Sequence, residues 1–292
     1  MASATKAFVA HRNLLFTVAY EMLGSAADAE DVLQETWLRW VGVDLDTVRD
    51  HRAYLVRIAT RQALDRMRAI GRRKESYVGP WLPEPLLTAP DVAEDVELAD
   101  SVSMAMLLVM ETLAPTERAV FVLREVFDLA YDEIAQAVDK SPAAVRQIAH
   151  RARAHVASRR PRDVVSPAET RDAMRAFQRA IETGDLQDLV DVLAPDVVLL
   201  SDGGGVKKAV LRPIVGADKI TRLLAGGRTK FTAEVSAEPV QVNGCPGLIV
   251  RFDGELDCVV AMRVDNGLIT GLYLVRNPEK LSRVGRETVL SR

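Results

Sequence analysis

Two clusters of proline divide this chain of 292 residues into segments that cannot form one continuous helical core. The first cluster lies at 80–90 and the second at 161–167. Proline lacks a backbone N–H and clashes with the preceding helical turn, so a regular helix does not run through either cluster. At about 100–200 residues per domain, the length also predicts more than one domain.

The residues before the first cluster have the apolar spacing of helices. Ser25 to Asp28 form a capping box, and apolar residues then recur on one helical face as far as Trp40. A second helix begins near Asp50, its expected N-cap, and continues into a basic stretch that ends near residue 74. These patterns predict an all-α first domain.

Residues 116–156 have the pattern of a helix-turn-helix. A short helix at Tyr131–Val138 ends at Asp139-Lys140, and Ser141-Pro142 supplies a capping serine and a proline at the first position of the next helix. The outward face of that helix carries no acid and consists of Arg146, Gln147, His150, Arg151 and Arg153. Such a face suits the major groove of DNA, since arginine bonds guanine edges and phosphates. An ordinary helical hairpin with a solvated basic face is the alternative.

Charge is segregated along the chain although the net charge is only −3. From Arg49 to Lys74 nine basic residues stand against two acids, and from Glu84 to Asp100 there are six acids and no Lys or Arg. From Ser141 to Arg160 there are five Arg and no acid. Two basic helical segments separated by an acidic linker favour a nucleic-acid partner, which the overall charge conceals.

The sequence after the second proline cluster predicts an α+β domain. One amphipathic helix covers residues 168–183 and ends at Gly184, and a shorter helix lies near 218–224. Asn243-Gly244 and Asn266-Gly267 are hairpin signals between strand-like runs. The expected strands are 197–200, 234–242, 247–252, 258–264 and 268–275.

Composition and cysteine usage exclude several classes of protein. Nothing approaches the roughly eighteen unbroken apolar residues of a membrane span, and the N-terminus does not have the pattern of a signal peptide. Cys245 and Cys258 are the two cysteines, and without a secretory signal a reducing compartment is expected. We therefore expect a cytoplasmic protein with no membrane association, no cofactor and no metal site.

Enzyme chemistry has little support in the C-terminal part. All four histidines lie upstream of it, and its sequence contains no recognisable triad or cluster of metal ligands. Asp202 and Asp257 are candidate general acids or bases, because a buried carboxylate with a raised pKa can accept a proton. The alternative is that Asp202 begins a glycine-rich turn and that Asp257 is exposed.

Three stretches, in this order, resemble the extracytoplasmic-function (ECF) sigma factors of bacteria. The helix from Asp28 to Trp40 resembles the one by which these factors bind core RNA polymerase. Residues 52–68 resemble their promoter-melting helix, and 131–153 resemble their second domain. The resemblance covers residues 8–160 and implies two partners, which are core RNA polymerase (its beta and beta-prime subunits) and promoter DNA.

Three further motifs resemble the ECF subgroup whose C-terminal extension is an NTF2-like (SnoaL-like) domain. They are Trp81-Leu82-Pro83-Glu84-Pro85, Asp202-Gly203-Gly204-Gly205 and Asn277-Pro278-Glu279-Lys280-Leu281. The resemblance implies two all-α sigma domains, a region 2 helical bundle at 1–74 and a region 4 helix-turn-helix at 101–160, joined by an acidic linker at 75–100. An α+β NTF2-like cone domain at 168–283 follows, and folds of this kind commonly enclose a pocket with room for a small ligand.

The resemblance also implies which side chains meet each partner. The polymerase-binding surface consists of Asp28, Asp31, Glu35, Trp37 and Trp40. The melted −10 strand is held by Arg57, Arg61, Gln62, Arg66 and Arg68, and the −35 duplex is read by Ser141, Arg146, Gln147, His150, Arg151 and Arg153. Arg61-Gln62 stand where many relatives have Asn, so no base preference is carried over. The acidic linker either occupies the cationic nucleic-acid channel or is a solvated tether.

We therefore expect an ECF-type sigma factor that directs core polymerase to specific promoters and is regulated in cis by its C-terminal domain. In this hypothesis Trp81, with Leu82 and Pro83, docks near the Asp202–Gly205 loop or near Asn277-Pro278 and sets how the two promoter-binding domains sit. One alternative is a one-component, ligand-sensing helix-turn-helix regulator that needs no polymerase. A further alternative is an enzyme of the isomerase or cyclase kind.

Overall fold

The computed structural model describes residues 2–89, 95–159, 167–184, 187–228 and 234–292. Pro90 and Pro161, within the two predicted breaks, lie outside these ranges. In the described residues, the chain builds two helical bodies and then an α+β body. The fold class expected from the sequence is thereby confirmed.

The first helical body is a three-helix bundle. Its helices are α1 (Ala2–Leu23), α2 (Ala26–Trp40) and α3 (His51–Lys74), with a short 3-10 turn at Leu45–Thr47. Ser25 is the N-cap of α2, where its hydroxyl accepts a hydrogen bond of 3.2 Å from Asp28 N. Asp50 caps α3 through a 3.0 Å bond from Ala53 N. Both predicted starts are therefore confirmed.

The second helical body contains the predicted helix-turn-helix. Its helices are α4 (Val96–Val102), α5 (Met104–Met110), α6 (Pro115–Phe121) continuing into a π-helical turn at Val122–Val126, α7 (Tyr131–Val138) and α8 (Pro142–Ala157). Asp139 ends α7 in the left-handed conformation, with φ of 54°, and the Ser141 hydroxyl caps α8. The prediction of an extended linker up to residue 100 is wrong for 96–100, because the Asp95 side chain caps α4.

The two helical bodies share one hydrophobic core. A continuous cluster of buried side chains runs from Ala4 in α1 to Val156 in α8. Helix α3 packs against both α6 and α7, so the promoter-melting helix expected from the sequence lies against the expected helix-turn-helix. We call this packing of α3 against α6 and α7 the closed arrangement.

The C-terminal body consists of helices on a mixed sheet. The helices are α9 (Pro167–Thr183), α10 (Gln187–Val192), α11 (Ala217–Arg228) and α12 (Pro278–Leu281). The strands are β2 (Leu193–Asp202), β3 (Ile214–Val215), β4 (Val235–Val242), β5 (Cys245–Phe252), β6 (Glu255–Asp265) and β7 (Leu268–Val275). Both predicted Asn-Gly hairpins are confirmed by positive φ at each residue, and a third, at Asp253-Gly254, was not predicted.

The linker adds an unpredicted strand to this sheet. Strand β1 (Leu87–Thr88) pairs antiparallel with β4, and β8 (Glu287–Thr288) pairs parallel with β1, giving the order β3-β2-β7-β6-β5-β4-β1-β8. Leu82, Glu84 and Leu86 are all at most 3% exposed. A solvated tether is therefore wrong for this part of the linker.

The residues after β8 return to the first helical body. Leu290 is 5% exposed within its core, and Ser291 N donates to Thr17 Oγ1 at 3.1 Å. Arg292 pairs with Asp95 at 2.8 Å and with Glu97, both next to or within α4. This tail, residues 287–292, joins all parts of the fold, and nothing in its sequence predicted that role.

Asn243 is a junction between the three bodies. Its amide donates to Tyr20 Oη of α1 at 2.6 Å and to Val102 O of α4 at 2.9 Å. Its side-chain Oδ1 accepts a hydrogen bond from Leu86 N of the linker at 3.0 Å, and the residue is completely buried. The hairpin residue therefore also holds the bodies together.

We predict that Asn243→Asp lowers the free energy of unfolding by about 3 kcal/mol, because it buries a carboxylate and removes both donors. Asn266→Asp, at the exposed tip of the other predicted hairpin, is the matched control and should change it by no more than about 0.5 kcal/mol. Both aspartates tolerate the left-handed turn. Urea unfolding followed by fluorescence measures the difference, and equal midpoints for the two variants would contradict the assignment.

Candidate nucleic-acid interface and inter-domain clasp

The acidic face of α2 is paired with one arginine of α3. Arg66 contacts Asp28 at 2.6 Å, Glu35 at 3.8 Å, and Asp31. The sequence assigned these acids to polymerase and Arg66 to DNA, whereas the structure brings all four together. The charges of this surface therefore already have partners within the chain.

The two tryptophans of α2 have different environments. Trp37 is partly buried and packs edge-on against Phe8, with ring centroids 5.2 Å apart. Trp40 has no exposed surface, and its indole N–H donates to Ala4 O at 2.9 Å. The prediction that Trp40 forms part of a polymerase surface is wrong for this arrangement, because its ring fills the core. Leu38, the next residue after Trp37, is 64% exposed, and the sequence analysis did not include it in the polymerase-binding surface.

The basic face of α3 is directed toward the helix-turn-helix. Arg57 Nη1 donates to Gln136 Oε1 at 3.2 Å, and Arg61 Nη2 donates to Gln136 O at 2.8 Å. Gln62 is only 7% exposed, so its assignment to the melted strand is wrong in this arrangement. Arg68 is exposed and pairs with Asp65 at 2.6 Å. The predicted strand-holding arginines are thus engaged within the chain.

The outward face of α8 is on the surface as predicted. Arg146, Gln147 and His150 are exposed. Arg153 forms two bonds with Glu125, of 3.0 and 2.7 Å, and Arg151 lies 3.6 Å from Glu117. These are exposed pairs that contribute little to stability and exchange readily for phosphates. The cap Ser141 is also exposed.

A second functional cluster joins the linker to the C-terminal body, and we call it the clasp. Its members are Tyr77, Trp81, Leu82, Asp202, Asn277 and Lys280. Asp202 is completely buried at the end of β2, and its Oδ2 accepts from Leu82 N at 2.9 Å and from Lys280 Nζ at 2.7 Å. Its Oδ1 accepts from Tyr77 Oη at 2.5 Å.

Trp81 lies between two ammonium groups. Lys280 Nζ is 3.5 Å from the centroid of its ring, and Lys74 Nζ, at the end of α3, is 4.9 Å away. Tyr77 packs edge-on against the same ring at 4.6 Å. An ammonium over an indole face is attracted by the ring quadrupole, most strongly when desolvated. Trp81 therefore links α3 to the C-terminal body.

The glycine-rich loop allows the clasp to close. Gly204 has φ of 64°, and a Cβ on it would lie 2.4 Å from Asn277 Nδ2. A Cβ on Gly203 would lie 2.2 Å from Lys207 O, and Gly205 has φ of 74° beside Val78. The Asn277 side chain caps the N-terminus of α12, whose first residue is Pro278. Its amide donates to Tyr77 Oη at 2.8 Å. The three glycines thus permit an approach that side chains would block.

Glu84 of the linker caps the helix assigned to polymerase. Its Oε2 accepts from Ala26 N at 2.8 Å, from Ala27 N at 3.2 Å and from Ser25 Oγ at 3.2 Å. A carboxylate at a helix N-terminus is stabilised by the free N–H groups there. Glu84 belongs to the acidic linker, for which the sequence left open a cationic channel or a solvated tether, and in this arrangement it is bound to α2.

The two candidate catalytic carboxylates are both occupied. Asp202 belongs to the clasp, and Asp257 contacts Arg276 through both oxygens, at 2.8 and 3.0 Å, and Lys207 at 3.2 Å. The expectation of an exposed Asp257 is wrong, since its side chain is 14% exposed. The described residues contain no group of three or more His, Cys, Asp and Glu arranged to hold a metal ion. They also contain no helix with the length and apolarity needed to cross a membrane.

Comparison with known proteins agrees with this architecture. Residues 7–73 match the family model for Sigma-70 region 2, and 103–156 match that for Sigma-70 region 4. A Mycobacterium tuberculosis protein named ECF RNA polymerase sigma factor SigJ is 33% identical over 94% of this chain and 92% of its own length. A probable ECF sigma factor of that organism, SigI, is 32% identical over 96% of each chain.

The solved structure of the M. tuberculosis sigma factor SigJ aligns with a TM-score of 0.75 at 32% identity. It covers 95% of this chain and 98% of the solved one. The two helical bodies are therefore those of a sigma-70-type transcription factor. The chain belongs to the ECF RNA polymerase sigma factors, and an α+β C-terminal domain follows its two sigma regions.

We predict that Gly204→Ala opens the clasp, because the new methyl group collides with Asn277 in addition to straining the backbone. Gly254→Ala is the matched control, since Gly254 also has positive φ, 80°, but has open space around its Cβ position. The first variant should be less stable than the second by about 2 kcal/mol. Urea unfolding monitored by tryptophan fluorescence compares them, and equal losses would argue against a closed clasp.

The clasp should also respond to pH. Burial lowers the pKa of Lys280 from its ordinary 10.5 to about 8, although the nearby Asp202 carboxylate raises it. Between these values the closed clasp holds fewer protons than the open chain, so closure is favoured as pH rises through this window. The gain is at most about 1.4 kcal/mol per pH unit. Comparing urea midpoints of the unchanged protein with Lys280→Met from about pH 7.5 to 9.5 tests this, and parallel pH profiles would refute it.

Proposed function

We propose that this protein binds core RNA polymerase, directs it to specific promoters and is held inactive by its own C-terminal domain until the clasp opens. Family membership supports the sigma activity. The contact of Arg57 and Arg61 with Gln136 supports the regulation, because it covers the melting helix with the helix-turn-helix. The direction of regulation, which the sequence left open, is therefore proposed to be inhibitory.

The geometry of a promoter requires the closed arrangement to open. Elements at −35 and −10 are separated by about 25 base pairs, which is roughly 85 Å along B-form DNA. A pair of helices in hydrogen-bond contact cannot occupy both elements at once. Binding of promoter DNA by both helical bodies therefore needs α3 and α7 to separate.

The C-terminal body supports the closed arrangement through three contacts. The clasp holds the linker, Asn243 bonds both helical bodies, and Leu290 of the tail fills part of their core. The hydrogen bonds of the clasp and of Asn243 do not involve the outward-facing side chains of α8. We propose that they act on the equilibrium between closed and open forms rather than on DNA contacts.

Neither alternative has a specific observation in its favour. A one-component regulator needs no polymerase surface, whereas the chain matches both sigma regions. An enzyme of the isomerase kind needs a free acid or base in its pocket, whereas Asp202 faces the linker and Asp257 is ion-paired. We therefore propose that the protein itself catalyses no reaction and acts in the cytoplasm with polymerase.

Transcription in vitro with core polymerase and a promoter library tests this proposal with three full-length proteins. Because a small fraction of the unchanged protein is open at equilibrium, we expect promoter-specific transcripts from it at low yield, and a severalfold higher yield from Trp81→Ala. Trp81→Phe is the matched control, because a phenyl ring still offers a face to Lys280. Small-angle scattering should show a larger radius of gyration for Trp81→Ala alone.

Each part of the proposal has its own contradicting outcome. If none of the three folded proteins gives transcripts, and if they bind promoter DNA without polymerase, the sigma activity is refuted. A one-component regulator is then the favoured function. Transcripts with equal yields and equal scattering for Trp81→Ala and the unchanged protein would refute regulation through the clasp.

A further inference from the structure

The C-terminal body has a partly open cavity that is lined by residues of α9, α11 and its sheet. The cavity has a volume of about 860 Å³, within the range of small-molecule sites. Most of its wall is apolar and includes Phe177, Leu199, Val250, Phe252, Val260 and Leu274. A ligand that fills it must therefore present a largely apolar body.

One end of the cavity is polar. Ser201, Asp257 and Arg276 line that end, and Arg276 Nη1 also donates to Lys208 O. The Cys258 thiol also lines the cavity. Burial, and to a smaller extent the nearby Asp257 carboxylate, raises its pKa to about 12, so the thiol adds no negative charge at neutral pH. Polar groups concentrated at one end of an apolar pocket orient a ligand that has a single polar head.

The charge of the lining is positive. Lys208, Arg222 and Arg276 line the cavity with one carboxylate, Asp257, which is also paired with Lys207 outside the lining. A guanidinium has five N–H donors, and Arg276 uses three of them on Asp257 and Lys208 O. The two others remain for a ligand, so an anion can bind without displacing Asp257.

We propose that this cavity binds a small monocarboxylate with an apolar body, whose carboxylate contacts Arg276. The proposal deepens the proposed regulation in cis and rests on it only for the consequence of binding. Charge complementarity selects an anion over a neutral or cationic ligand of the same shape. The apolar wall selects a body without further charges.

Binding at this end is connected to the clasp by neighbouring residues at the end of β2 and just after β7. Ser201 lines the cavity, whereas the next residue, Asp202, belongs to the clasp. Arg276 also lines the cavity, and the next residue, Asn277, belongs to the clasp. Arg276 N and Asn277 N both donate to Asp202 O, at 2.7 and 2.9 Å. A ligand that moves Arg276 therefore moves the backbone that holds the clasp.

Calorimetry on the full chain tests the ligand class with three probes of one chain length: decanoate, decan-1-ol and decylammonium, each below its micelle concentration. We expect decanoate to bind at least tenfold more tightly than the alcohol, and decylammonium more weakly than either. Equal affinities for the acid and the alcohol, or preference for the ammonium, would overturn the anion assignment.

Variants test whether the probes bind in this cavity and whether Arg276 contacts the carboxylate. Arg276→Gln should reduce decanoate affinity at least tenfold and leave decan-1-ol binding unchanged. Arg251→Gln is the matched control, because Arg251 lies between the lining residues Val250 and Phe252 and does not itself line the cavity. Val260→Phe, which adds a ring to the cavity wall, should weaken the binding of both probes. Unchanged decanoate affinity in folded Val260→Phe would place the site elsewhere.

The connection to the clasp has a separate test. Because coupling between two sites is reciprocal, opening the clasp with Trp81→Ala should change decanoate affinity severalfold, whereas Trp81→Phe should not. Unchanged affinity in Trp81→Ala would refute the coupling. None of these measurements uses polymerase, so failure of the ligand proposal is distinguishable from failure of the sigma factor proposal.

Discussion

A carboxylate with no exposed surface, Asp202, determines how the linker and the C-terminal body fit together. Removing a charge from water is costly unless partners replace the water, and removal of one partner of a buried pair typically costs about 3–5 kcal/mol. Here the partners come from separate parts of the chain: Tyr77 and Leu82 from the linker, and Lys280 from α12. The path of the linker, the end of β2 and the position of α12 therefore depend on one another.

In the closed arrangement, charges that the sequence analysis assigned to polymerase and DNA are paired within the chain. Arg66 holds the acidic face of α2, and Arg57 and Arg61 hold α7. Most of these contacts are partly exposed, so each contributes little on its own and is readily exchanged for phosphate contacts. The buried contacts around Asp202 and Asn243 are different, because breaking them leaves polar groups without water. In the proposed regulation, opening is thus limited by the C-terminal body rather than by the outward-facing side chains of α8.

Local signals in the sequence predicted local structure well. The caps Ser25, Asp50 and Ser141 and both Asn-Gly hairpins were correct, because each depends on neighbours within a few residues. The errors concern side chains whose partners are distant. Trp40 lies on the apolar face of its helix, and only the resemblance assigned it to a polymerase surface; Gln62 was assigned to DNA in the same way, and both are buried by other elements. Strands β1 and β8 have two residues each, too short for any periodicity. Asn243 was recognised as a turn, whereas its bonds to Tyr20 and Val102 follow only from the assembled fold.

The pairing of β8 with β1 joins residues two hundred positions apart, Leu87 beside Glu287. During synthesis the linker leaves the ribosome long before the tail does, and domains generally fold in the order in which they emerge. The helical bodies are therefore complete while Leu290 is still absent from their core. Leu290 and β8 are thus made after every helix of the two bodies that they hold together.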